Sequence, residues 1–136
     1  AWEFRHDEIG YNHRLPNLNA ALGCAQLEQL PAMLAAKRGL FQRYQAAFAP
    51  VEGVKLMAEP DQCQSNYWLQ TLLLDAEQAN QRDPILKVTN DAGFMTRPAW
   101  TLIHELKPFK DCPRMDLTEA QSLSRRLINI PSSTGL

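Results

Sequence analysis

The sequence predicts an α+β fold in which a long N-terminal helix pair packs on a small sheet beside two further short helices. Three observations carry that expectation. An apolar stripe of helical period runs between Pro16 and Phe48. Short apolar runs of strand character follow Pro50. Beyond them, helical and extended segments mix without strict alternation and without an internal repeat.

Taken in order, Leu30, Met33, Leu34, Leu40, Phe41, Tyr44 and Phe48 fall close to one helical face, with Lys37, Arg38, Gln42 and Arg43 on the other. Asn17 is placed to cap the start. Pro31 lacks the N–H that would bond back to residue 27, so the stretch reads as two helices or one bent helix. Val54 to Met57 and Tyr67 to Leu74 then read as strands, the second apolar on both faces as a central strand is. Asp83 and Pro84 have the form of an N-cap followed by proline at the first helical position, and Gly93 suits a left-handed C-cap, which predicts a helix over 84–92. Phe94 to Arg97 returns as a strand. Asp116 and Glu119 form a pair resembling a capping box ahead of Ala120, Leu123 and Leu127, with Arg125 and Arg126 in the last turn. Ile128-Asn129-Ile130 before Pro131 makes the last strand.

The chain has 136 residues, 45% of them apolar and 21% charged, which is enough to bury a core and too apolar for a disordered segment. A net charge of −1 leaves no basic surplus to neutralise phosphates, so a nucleic-acid partner is not expected. No apolar run approaches the ~18 to 20 residues of a membrane span. Cys24, Cys63 and Cys112 are widely separated and odd in number, which fits a reducing, cytoplasmic setting better than a disulfide framework or a metal knuckle. The opening Ala-Trp-Glu-Phe-Arg-His-Asp-Glu has neither an initiator methionine nor a cap, as expected of a piece of a longer chain.

Chemistry-bearing residues cluster in few places. His6, Asp7, Glu8 and His13 are metal-capable, but a spacing of seven between the histidines matches no helical face, so a solvated polar loop is expected and no metal site. No serine lies in a Gly-x-Ser-x-Gly elbow, and the glycines form neither a P-loop nor a dinucleotide fingerprint. Two stretches stand out. Gly10-Tyr11-Asn12-His13-Arg14-Leu15-Pro16 sets amide, imidazole and guanidinium donors just before a helix, which suits an anion; the same letters also make an ordinary loop. Thr96-Arg97-Pro98-Ala99-Trp100-Thr101-Leu102-Ile103-His104 turns at a proline and presents Arg97, Trp100 and His104, as either a ligand-facing loop or a packed corner.

Residues 10 to 30, Gly-Tyr-Asn-His-Arg-Leu-Pro-Asn-Leu-Asn-Ala-Ala-Leu-Gly-Cys-Ala-Gln-Leu-Glu-Gln-Leu, resemble the Tyr-Asn-x-Arg and Ala-Ala-Leu-Gly-x-x-Gln-Leu helix entry of the DegT/DnrJ/EryC1/StrS nucleotide-sugar aminotransferases. Lys37-Arg38 with Tyr44, then Ser65-Asn66-Tyr67-Trp68, Gly93 to Arg97, His104 and the Ile-Asn-Ile-Pro-Ser-Ser ending follow in the family's order. The resemblance covers nearly the whole chain. It implies the small C-terminal domain of a fold-type I aminotransferase dependent on pyridoxal phosphate, with residues 1–15 as an approach segment between domains and subunits and 16–136 as the small α+β domain.

The resemblance further implies a homodimer that takes glutamate and a nucleotide-linked keto-sugar, a 4-keto-6-deoxyhexose, in surface-glycan biosynthesis. The Schiff-base lysine and the aspartate facing the cofactor ring would precede Ala1, so no catalytic residue is assigned within this chain and the piece alone is expected to be inactive. Its five lysines, Lys37 included, read as solvated surface amines. Asn12 and Arg14 are implied cofactor-binding residues, Asn12 at the phosphate across the dimer. Arg97, Trp100 and His104 are implied substrate-binding residues. Many relatives carry His-Tyr where this chain has Ala99-Trp100, and the indole keeps an amphipathic wall with a single N–H donor. The alternatives are a non-catalytic helical interaction module using residues 16–48, or the family's pyridoxal-phosphate-dependent sugar dehydratase branch.

Overall fold

The computed structural model describes residues 7–11 and 14–136. Helix α1 spans Asn17–Phe48, strand β1 Val54–Leu56 and strand β2 Gln70–Leu74. A 3₁₀ turn over Ala76–Gln81 leads into α2 (Arg82–Asp91), followed by β3 (Arg97–Pro98), two further 3₁₀ turns, α3 (Thr118–Ser124) and β4 (Leu127–Ile130). The strands form one antiparallel sheet in the order β1-β2-β4-β3. The predicted α+β class is what the chain adopts. None of the described helices is long and apolar enough to cross a membrane.

Register brings Leu72 opposite Ile128 and Gln70 opposite Ile130. With side chains alternating along each strand, Gln70, Leu72 and Leu74 share the inner face of β2. Leu72, Leu74, Leu86, Ile128 and Ile130 form the core, and Tyr44 and Phe48 of α1 close over it with Ile85 of α2. Two helices thus cover one sheet face. Leu86 is fully buried and Ile128 nearly so, each stabilising the fold by roughly 1.5 to 3 kcal/mol through lost apolar exposure.

The expected helix pair is one continuous helix that runs through Pro31. Proline deprives the Leu27 carbonyl of its partner, but Leu27 and Pro31 are both exposed, so water can serve that carbonyl and the helix need not break. Of the predicted apolar stripe, Leu40 and Phe41 are buried, Met33 and Leu34 half-buried and Leu30 exposed; Leu18, Leu22 and Leu27, nearer the start of α1, are exposed too. Lys37 and Arg38, expected on the solvated side, are half-buried instead.

Gly93, at φ +86°, sits where the sequence placed a left-handed cap. The Phe94 N–H donates to the Thr89 carbonyl (2.9 Å) and the Gly93 N–H to the Asn90 carbonyl (3.0 Å), the paired bonds of a Schellman ending. The start of α2 differs from expectation: Gln81 holds the cap position, and Asp83 lies in the first turn, paired with Arg82 at 2.8 Å. The preceding 3₁₀ turn already bends the chain into helical dihedrals at Gln81, so Asp83 never adopts the extended backbone an N-cap needs. Ahead of α3, Asp116 accepts from the Thr118 hydroxyl (2.8 Å) and N–H (3.3 Å), a local turn in place of the expected capping box. Arg125 stands at the C-cap of α3, and Arg126 lies beyond the helix, where its guanidinium donates to the Leu74 carbonyl at 2.9 Å.

Candidate functional site

Ser65-Asn66-Tyr67-Trp68 enters β2 as a tightly held turn. The Ser65 hydroxyl accepts from the Tyr67 N–H (3.0 Å) and the Asn66 side-chain carbonyl from the Trp68 N–H (2.9 Å), two side chains closing their own backbone. Tyr67 takes φ +45°, the left-handed region that a bulky residue enters at a cost of roughly 1 to 2 kcal/mol. Its surroundings offset that cost. The Tyr67 ring is buried, stacked 4.4 Å from the Phe41 ring, with the Arg38 guanidinium 5.4 Å from its centroid.

The helix holds the turn from below. Arg38 donates to both carboxylate oxygens of Glu59 (2.8 and 3.1 Å) and to the Ser65 carbonyl (2.8 Å), and Glu59 accepts from the Ser65 N–H (2.6 Å). The Arg38 hydrogen bond and then the Ser65 N–H hold the Glu59 carboxyl below the usual carboxylate range. From the residue before Arg38, the Lys37 ammonium donates to the carbonyls of Trp68 (3.0 Å) and Ser132, and the Ser132 hydroxyl also donates to the Trp68 carbonyl (2.8 Å). Tyr44 completes the seam by donating to the Pro131 carbonyl at 3.0 Å. Burial pushes the Lys37 pKa below the ordinary lysine value. Contrary to the sequence reading, Lys37 is not a solvated amine: it ties α1 to the turn before β2 and to the segment after β4.

The left-handed kink buries Tyr67 and turns Trp68 out. Trp68 remains 64% exposed and stacks on Trp100, itself 52% exposed, with ring centroids 5.9 Å apart and planes inclined by 21°. Two indoles, one from the turn before β2 and one from the loop after β3, therefore make one flat aromatic surface, on a support of charged hydrogen bonds.

The predicted site residues fall in different surroundings. Asn12 lies outside the described residues, as do the two histidines of the metal-capable cluster, His6 and His13. Arg14 is exposed just before α1. Exposed Arg97, on the edge strand β3, lines an apolar groove of about 470 Å³ with Phe94, Met95, Asn129 and Ser133. Trp100 belongs to the indole pair. His104 is half-buried, lines a separate pocket of about 350 Å³ with Leu102, Phe109 and Leu117, and stands 3.9 Å from the Glu105 carboxylate. Arg97, Trp100 and His104 thus share a stretch of chain and not a single pocket. Lys37, Glu59 and Trp68 make contacts that the sequence reading did not foresee. Lys37 and Trp68 stand there only within the Lys37-Arg38 and Ser65-Asn66-Tyr67-Trp68 stretches of the family resemblance, and Glu59 left no signal.

Comparison with known proteins agrees with this framework. The family model described as the DegT/DnrJ/EryC1/StrS aminotransferase family matches residues 1–136. The chain is 31% identical over 132 residues to the GDP-perosamine synthase of Vibrio cholerae, covering 96% of this chain and 36% of that enzyme. It is 38% identical over 106 residues to EpsN of Bacillus subtilis, which carries the provisional name of a pyridoxal phosphate-dependent aminotransferase; the match covers 76% of this chain and 26% of EpsN. Among solved structures, Helicobacter pylori PseC, an aminotransferase involved in the biosynthesis of pseudoaminic acid, superposes with a TM-score of 0.82 at 19% identity, over 96% of this chain and 35% of PseC. The chain therefore spans about a quarter to a third of the length of these relatives. With the family model matched from end to end, this chain belongs to the DegT/DnrJ/EryC1/StrS aminotransferase family.

Proposed function

We propose that this chain is the small, substrate-facing domain of a pyridoxal-phosphate-dependent aminotransferase that transfers an amino group from glutamate to a nucleotide-linked keto-sugar, a 4-keto-6-deoxyhexose. The reading includes a cytoplasmic homodimer working in surface-glycan biosynthesis, with residues 1–15 as the approach segment and 16–136 as the small domain. The observation that carries it is the end-to-end family match, together with the name of the Vibrio cholerae relative.

The described residues do not compose a cofactor site by themselves. Lys55, Lys87, Lys107 and Lys110 are exposed, and Lys37 is committed to two carbonyls, so none is an amine held in a pocket with a depressing neighbour. Arg14, exposed ahead of α1, offers a fork-shaped cation suited to a phosphate contributed from elsewhere. The contribution of this chain lies on the substrate side: Trp100 supplies a flat apolar face with one N–H donor, His104 a second polar contact, and Arg97 a cation at the rim of the groove.

The test is an assay of the full-length polypeptide that carries this chain, with glutamate and a nucleotide-linked 4-keto-6-deoxyhexose. Amino-sugar formation is expected, and Trp100→Ala or His104→Ala should raise KM for the sugar nucleotide while cofactor binding stays unchanged. Loss of the sugar hydroxyl without amino transfer would assign the chain to the dehydratase branch. The exposed leucines of α1, Leu18, Leu22 and Leu27, favour a second reading, a helical interaction module. A full-length protein that turns over no keto-sugar nucleotide would leave that reading in place of the first.

A further inference from the structure

We infer that Lys37 and Trp68 are positioning residues for Trp100, so that the wall offered to the sugar nucleotide is a prestressed indole pair set from helix α1. The inference rests on the proposed placement of the Trp100 loop at the substrate. Its evidence is separate and lies in the turn itself.

Four independent devices converge on Trp68. The left-handed backbone at Tyr67 reverses the direction in which the next side chain leaves the strand. The Asn66 side chain accepts from the Trp68 N–H at 2.9 Å. Its carbonyl receives two further donors, Lys37 Nζ at 3.0 Å and Ser132 Oγ at 2.8 Å. Both backbone hydrogen-bonding groups of one exposed residue are thus engaged, although water could serve them without help. A residue kept only for packing would be turned inward, as Tyr67 is. Trp68 is turned outward, and its ring stacks on that of Trp100.

The indole of Trp100 sits on a loop that no regular element holds, between β3 and the 3₁₀ turn at Ile103–Glu105. Stacking on Trp68 restricts it to one orientation before a ligand arrives, and preorganisation of this kind raises affinity by lowering the ordering cost of binding. Lys37 is the link to the rigid part of the molecule, because α1 packs on the core about two and three turns further on, through Tyr44 and Phe48. A lysine serves here where a shorter or neutral residue would not: its ammonium has three donors and reaches two carbonyls from different loops at once.

The experiment uses the full-length polypeptide, comparing Lys37→Met with Lys37→Arg, and isolating the indole-pair signal as the circular-dichroism difference against Trp100→Phe. The expected result for Lys37→Met is loss of the paired-indole signal. KM for the sugar nucleotide should rise about tenfold, the size of one lost hydrogen bond to a charged donor, with kcat and cofactor binding within about twofold. Lys37→Arg should restore part of both. In a Trp100→Ala background Lys37→Met should add nothing, since both changes act through the same ring. An unchanged indole signal and KM in Lys37→Met would overturn the inference. Loss of the signal with unchanged KM would instead refute the placement of Trp100 at the substrate, and the inference falls with it. Should Lys37→Met fail to fold, Ser132→Ala removes the other side-chain donor to Trp68 and is expected to weaken the signal; no change there would overturn the inference equally.

Discussion

Arg38 and Glu59, 21 residues apart in sequence, meet as a two-pronged ion pair with N–O distances of 2.8 and 3.1 Å. The pair does more than join a helix to a loop. Arg38 also holds the Ser65 carbonyl and Glu59 the Ser65 N–H, so the same two charges grip both sides of the residue that begins the turn under Trp68. Fork-shaped pairing of this kind fixes geometry as well as adding attraction.

A pH dependence follows. The Glu59 carboxyl titrates below its ordinary value in the folded chain, first because of Arg38 and then because of the Ser65 N–H. A depressed folded pKa contributes stability that is present above the unfolded value and is lost as pH falls through the folded one. The chain should therefore weaken on acidification below about pH 4.5, the unperturbed value. Glu59→Gln should lower stability at neutral pH and flatten that acid limb. Urea denaturation from pH 3 to 7 reads both.

Leu86 is completely buried at the centre of α2, against Leu72, Leu74 and Ile128. Leu86→Ala should cost roughly 3 kcal/mol, because helix and sheet backbones cannot collapse into the space left behind. Val88→Ala, on the exposed side of the same helix, should stay within about 0.5 kcal/mol. Chemical denaturation midpoints for the two variants make the comparison.

Two glycines hold positive φ for different neighbours. A Cβ at Gly93 would meet nothing within 4 Å, so Gly93→Ala should cost about 1 kcal/mol from backbone strain alone, and Gly93→Asn less. At Gly53, also left-handed, a Cβ would fall 2.1 Å from the Gln78 side-chain amide. Gly53→Ala should therefore be the more damaging, and adding Gln78→Ala should recover the steric part while leaving the strain. Thermal melts of the four variants test the order.

For the proposed enzyme, Asn12→Ala in the intact full-length dimer should remove one hydrogen bond to the cofactor phosphate, a loss of roughly 1.5 to 3 kcal/mol. Cofactor affinity should then fall about ten- to a hundredfold. Equilibrium titration with pyridoxal phosphate measures it, and an unchanged affinity would return Asn12 to the reading of an ordinary polar loop.

Much of the architecture was legible because it depends on local periodicity. The helical stripe around Leu40 and Phe41, the apolar run ending in Leu72 to Leu74, Gly93 past the end of α2 and Ile128-Asn129-Ile130 each announce themselves within a few residues. So does the family resemblance, which is a property of ordered letters.

What local pattern does not hold is which solvent-facing positions a neighbouring loop will cover. Lys37 and Arg38 lie on the polar side of α1 by periodicity, and only the arrival of the 59–68 and 131–133 segments turns them into half-buried donors. Pro31 stops a helix by rule, yet α1 continues, because the carbonyl it leaves unpaired sits among exposed residues and not in a core. The Trp68–Trp100 stack joins a residue just ahead of β2 to one just beyond β3, and no spacing in the sequence encodes it. Secondary structure and family follow from short-range order along the chain; the support beneath the aromatic wall follows from long-range hydrogen bonds and stacking, which exist only once the sheet register has brought those loops together.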